Sequence, residues 1–96
     1  MGTLLPFNET VAKESFTKKI INCHLEEDIL LASSSESDGP ITKIVVINSQ
    51  KQVVLIETCG SQYRCEAYVG ELPLGNYTAT VITTRSSYTT GFAIIQ

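Results

Sequence analysis

Apolar and polar residues alternate along this 96-residue chain in short stretches, with turn-forming residues between them. Alternation with a period of two puts successive side chains on opposite faces of a strand, whereas one helix face repeats every three to four residues. Strands are predicted at Lys18–His24, Asp28–Ser33, Ile41–Ile47, Gln52–Thr58, Arg64–Val69, Asn76–Thr83 and Tyr88–Ile95. Leu25-Glu26-Glu27 reads as an acidic turn, Asn48-Ser49-Gln50-Lys51 as a polar hairpin connection, and Arg85-Ser86-Ser87 as a tight hairpin. The polar stretch Ser34–Pro40 is dense in turn formers and is expected to be the most mobile loop. Ahead of the strands, residues 1–17 form a weakly patterned arm. Val11–Phe16 could make a helical turn after an Asn8 cap, but its apolar spacing is poor and an extended arm is expected. The domain proper is expected over residues 18–96.

Short strands at regular spacing, with almost no helix, predict an all-β fold: an antiparallel sandwich of two sheets with about seven strands. The segment Leu72-Pro73-Leu74-Gly75-Asn76-Tyr77 sharpens this to an immunoglobulin-like sandwich. In such folds a Tyr near the start of the penultimate strand sends its hydroxyl back to upstream backbone and locks the corner between the sheets. Tyr77, Gly75 and Phe92 are therefore the expected structural residues.

Facing follows from parity. Tyr77, Ala79 and Val81 share one face of the sixth strand, and Thr78, Thr80 and Ile82 the other; Phe92 and Ile94 are chosen for the core from the seventh. The third and fourth strands break the pattern. Ile44 and Val46 oppose Val45 and Ile47, and Val53 and Leu55 oppose Val54 and Ile56, so both parities are apolar. Continuous apolar runs belong to strands covered on both faces, but a sandwich covers only one. Either the arm folds over this hairpin or another protein does, unless these are scattered surface apolars needing no explanation. Val45, Ile47, Val54 and Ile56 are the candidate interface, for an unknown protein partner or for self-association.

Composition narrows the partner. The formal charge is −3, and Lys18-Lys19 is the only adjacent basic pair, too little to engage a phosphate backbone. No nucleic-acid partner is expected. No apolar run exceeds four residues, as in Ile44–Ile47, so no transmembrane helix of about 20 apolar residues is expected. No secretory signal is visible from Met1 onward. Three cysteines leave two readings open. Cys59 and Cys65 bracket a short loop whose flanking strands could bring the sulfurs into bonding range. Alternatively all three are small, half-buried apolar residues, and this free-thiol reading holds a slight edge.

Three segments occur in a recognisable order: Ile44-Val45-Val46-Ile47-Asn48-Ser49-Gln50-Lys51-Gln52-Val53-Val54, then Leu72-Pro73-Leu74-Gly75-Asn76-Tyr77, then Tyr88-Thr89-Thr90-Gly91-Phe92-Ala93-Ile94. Together they resemble the small immunoglobulin-like secreted proteins of the Bacteroides group, a domain family of unknown function. The resemblance spans Ile41 to Ile95 and, more faintly, Lys19 to Ala32. The chain departs from that pattern at Gln50-Lys51, where a Gly is usual, and in carrying cysteines. The carboxyl-terminal sorting domains of related bacteria look similar through their "Leu-x-x-Gly-x-Tyr" entry. Fibronectin type III modules are a weaker likeness, since they usually carry a core Trp and this chain has none. The resemblance implies a sandwich and export to the periplasm, cell surface or medium. It implies no activity.

Reactive chemistry finds little support. His24 is the only histidine, and Cys23 beside it would point to the opposite strand face, against a Cys–His dyad. A zinc site from Cys23, His24, Cys59 and Cys65 has suitable ligand types, but the five residues between Cys59 and Cys65 exceed the usual spacing. Glu26-Glu27-Asp28 and Glu36-Ser37-Asp38 lack the spacing of a calcium cage and read as solvated turns. Asn8-Glu9-Thr10 and Asn76-Tyr77-Thr78 match the glycosylation acceptor pattern, which carries little meaning in a bacterial protein. No cofactor is expected. The chain is expected to be a non-enzymatic exported module for adhesion or protein–protein contact; the alternative is an accessory or sorting-type domain of a larger exported protein.

Overall fold

The computed structural model describes residues 21–95, and within them the chain is all-β. Its strands are β1 (Asn22–Glu26), β2 (Ile29–Ser33), β3 (Ile41–Asn48), β4 (Val53–Gln62), β5 (Arg64–Tyr68), β6 (Gly75–Thr83) and β7 (Ser87–Ile94). They form two antiparallel sheets, β1-β2-β5 and β4-β3-β6-β7, packed as a sandwich. The expected arm over 1–17, with its helical turn at Val11–Phe16, Asn8 and the pair Lys18-Lys19, lies outside the described residues.

Alternating inward residues of both sheets make the core. Leu30 and Ala67 from the three-stranded sheet meet Ile44, Val46, Ala79 and Val81 from the other, all fully buried. The expected parity of β6 holds: Tyr77, Ala79 and Val81 are buried, whereas Thr78, Thr80 and Ile82 lie on the outer side. Tyr77 stacks on Phe92 with ring centroids 5.6 Å apart, and Phe92 and Ile94 pack against the core from β7. The Tyr77 hydroxyl donates to the Pro73 carbonyl oxygen at 2.5 Å, so the corner is closed by the hydrogen bond that the sequence predicts. Gly75 enters β6 with φ 150°, a conformation that side chains with a Cβ rarely adopt.

Four local expectations are corrected. The first turn is Glu27-Asp28, not Leu25–Glu27, because β1 continues to Glu26 so that Leu25 pairs with Leu30 and Cys23 with Ala32. Glu27 accepts a left-handed φ of 55° to close the two-residue connection. The second correction is at β4, which runs to Gln62 rather than ending at Thr58, leaving only Tyr63 between it and β5. The loop expected around Gly60–Arg64 is thus a change of sheet. Between the pairs Ile41↔Gln62 and Lys43↔Thr58, β4 carries more residues than β3, and Gly60 and Ser61 take positive φ in that bulge. This turns Cys59 toward β5. Cys59 and Cys65 form a disulfide with Cα atoms 5.7 Å apart, so the free-thiol reading is overturned for this pair. Cys23 alone among the three is a free thiol, buried in β1.

The third correction concerns Ser34–Pro40, expected to be mobile and instead tied down throughout. Asp38 is 5% exposed. Its carboxylate accepts from the hydroxyls of Ser35 and Ser86, both at 3.1 Å, and its carbonyl accepts from Thr83 Oγ1 at 2.5 Å. Arg85 donates to the carbonyls of Glu36 and Ser37 from the β6–β7 turn. The polar side chains that mark a loop in sequence here satisfy one another across two turns. The fourth correction, at Val54, shapes the candidate site.

Candidate interaction face

The outer side of the four-stranded sheet is built by register. Ile47 lies opposite Val53 on one side and Thr78 on the other, and Thr78 opposite Gly91. The next row is Ile56, Val45, Thr80, Thr89, and the third is Thr58, Lys43, Ile82, Ser87. Aliphatic side chains therefore gather on β3 and β4, and hydroxyls on β6 and β7, where Thr80 and Thr89 share a hydrogen bond of 3.0 Å. Among the described residues, Lys43 is the one charged side chain at an outward position of this sheet. Glu57 lies opposite Ile44, on the inner side of the edge strand.

Three of the four predicted interface residues meet here: Val45, Ile47 and Ile56. Val54 does not. The register steps from Val46↔Leu55 to Ile47↔Val53, leaving Val54 as the extra residue of a bulge, packed against the core. Val53 takes the outward place instead. Val53 and Ile56 are 56% and 58% exposed, while Val45 and Ile47 are half-covered by their neighbours. Completing the burial of either exposed residue is worth roughly 1–1.5 kcal/mol, about half the value of a full Val or Ile side chain. Periodicity alone missed Val53, because a bulge resets parity and its signal is the partner strand, not the local sequence.

The outer side of the three-stranded sheet differs in character. His24, Leu31 and Glu66 form one row, Asn22, Ser33 and Arg64 a second, and Glu26, Ile29 and Tyr68 a third. A shallow depression of about 250 Å³ lies over the first two. His24 Nε2 stands 3.8 Å from Glu26 Oε2, with both side chains well exposed. Cys23 points inward where His24 points outward, so these two form no dyad. The four residues weighed as zinc ligands are dispersed: two are joined as a disulfide, one is in the core and one faces out. Among the described residues no cluster of His, Cys, Asp and Glu could hold a metal ion. Burial pushes the Cys23 thiol above its ordinary pKa, which keeps it protonated and unreactive. No described helix is long and apolar enough to cross a membrane. No protein-family model and no curated protein sequence matches this chain.

Proposed function

We propose that the chain is a non-enzymatic, exported immunoglobulin-like module that makes protein–protein or adhesive contacts through the outer side of its four-stranded sheet. The observation that carries this reading is the contrast between the two outer faces. One carries at least one of His24, Glu26, Arg64 and Glu66 in each of its three rows, whereas the other gathers Val45, Ile47, Val53 and Ile56 with a single lysine. Depletion of charge with retained aliphatic area is the mark of an interface centre. The Cys59–Cys65 disulfide supports an oxidising compartment, in keeping with export and with the resemblance to secreted Bacteroides proteins.

The test is photo-crosslinking from either face in envelope and culture fractions of the producing cell. A benzophenone amino acid in place of Ile56 is expected to give discrete protein adducts that Val45→Lys abolishes, and the same probe in place of His24 is expected to give none. Adducts from position 24 alone, or none from position 56, would refute the assignment.

A further inference from the structure

The outer side of the three-stranded sheet is shaped by side-chain length. The middle strand, β2, presents Ile29, Leu31 and Ser33 outward, while its neighbours raise longer polar groups beside them, His24 and Glu26 from β1 and Arg64 and Glu66 from β5. A low middle between two high flanks makes a trough along β2. Its two depressions, of about 250 and 530 Å³, share Leu31 and Glu66 and so run into one another. The flanks are two strand spacings apart, roughly 9–10 Å, and from Arg64 to Tyr68 the trough is about 13–14 Å long. It is open to solvent: the side chains of His24 and Glu26 are 60% and 68% exposed.

Two observations give this trough the character of a site. The first is its charged groups. Among the described residues, the side chains of Arg64 and Glu66 hold no hydrogen bond or ion pair, although they stand two positions apart on one face of β5. The second is Tyr68. It lies across Ile29 from Glu26, and its ring leans onward over Gly70: a Cβ built on Gly70 would stand 2.6 Å from Tyr68 Cζ and nearer still to the hydroxyl oxygen. Gly70 is outside the left-handed region, so its backbone makes no demand for glycine. The demand comes from the ring. An aromatic side chain that is 56% exposed is thus given its own seat at the end of the trough.

Chemistry narrows the ligand. Carboxylates at Glu26, Glu27 and Glu66 repel an anion and Arg64 repels a cation, whereas a hydroxyl group can donate to the first and accept from the second. Leu31, Ile29 and the Tyr68 ring supply apolar surface for C–H groups. A peptide is disfavoured, because a sheet face offers only side chains. Backbone N–H and C=O groups lie in the plane of the sheet, and the peptide's own would stay unpaired. A neutral saccharide carries hydroxyls around its rim and an apolar C–H face on each ring, and both kinds of group find partners here. We propose that the outer side of β1-β2-β5 binds a neutral oligosaccharide lying along β2, with Tyr68 stacking on one ring and Arg64 and Glu66 bonded to hydroxyls of the others. This goes beyond the protein-contact reading and uses the opposite side of the sandwich, so either can fail without the other.

The experiment is an amide and guanidinium NMR titration of the purified chain with cellohexaose, mannohexaose and chitohexaose, each to about 5 mM, and with hexagalacturonate and hexalysine as charged counterparts. At least one neutral hexamer is expected to shift Leu31, Glu66, Tyr68 and the Arg64 side chain, and both charged hexamers to bind more weakly by about tenfold or more. Tyr68→Ala and Glu66→Gln are each expected to weaken binding by about tenfold, while Tyr68→Phe stays within about twofold. Gly70→Ala displaces the ring without reaching the ligand, and is expected to weaken binding about fivefold in the unmodified chain and not at all in the Tyr68→Ala background. No shift with any neutral hexamer, equal losses from Gly70→Ala in both backgrounds, or tighter binding of either charged hexamer would overturn the proposal; preference for hexalysine would assign the trough to a cationic peptide. Shifts confined to Val45, Val53 and Ile56 would overturn it too, by moving the saccharide to the other sheet. Should a variant fail to fold, the residues shifted in the unmodified chain decide.

Discussion

Reducing the Cys59–Cys65 bond is expected to lower stability by an amount the structure lets us work out. The two cysteines are six residues apart and sit on strands of different sheets, β4 and β5, which are not hydrogen-bonded to each other. The bond therefore restrains the unfolded chain at the point where it changes sheet. The chain-entropy relation for so short a loop gives about 7–8 cal/mol/K, or about 2.3 kcal/mol at 25 °C. For a domain of this size that corresponds to a fall in Tm of roughly 10–18 °C. The assay is thermal unfolding followed by far-ultraviolet circular dichroism, with and without a phosphine reductant, alongside the Cys59→Ala/Cys65→Ala double variant. Reductant should shift the unmodified protein and leave the double variant unmoved at its already lowered Tm. A loss under about 0.5 kcal/mol would show that the sheet crossing is held by packing alone and refute the entropic account. An equal response of the double variant would show that reductant acts elsewhere.

Two further outcomes follow from the core. Tyr77→Phe keeps the ring against Phe92 but removes the hydroxyl that donates to Pro73. Because Pro73 is exposed and its carbonyl can take water instead, a loss of about 1 kcal/mol in urea unfolding is expected; an unchanged midpoint would deny the corner its role. Burial raises the Cys23 pKa. Its contribution to stability is whole below the unfolded thiol's pKa of about 8.5 and is lost as pH rises from there through the folded value, because the unfolded chain gives up its proton first. The urea midpoint should thus decline more steeply above that pH for the unmodified protein than for Cys23→Ala, and parallel declines would contradict this.

Much of the fold was legible from local pattern. Period-two alternation marked strands such as β6, continuous apolar runs marked β3 and β4, and the Gly75-Asn76-Tyr77 entry marked the corner, because a strand's two faces and a turn's backbone demands are written in neighbouring residues. Val45, Ile47 and Ile56 were found the same way, as apolar residues at the wrong parity for a one-sided sheet. What local pattern lacked was any knowledge of the opposing strand. The bulge that draws Val54 inward and turns Val53 out, the crossing that brings Cys59 to Cys65, and the polar cage around Asp38 each depend on residues far away in the chain. Strand identity is set by side chains a few positions apart, but register and edges are set by which strands end up adjacent, and that choice is made by the burial of the whole core at once.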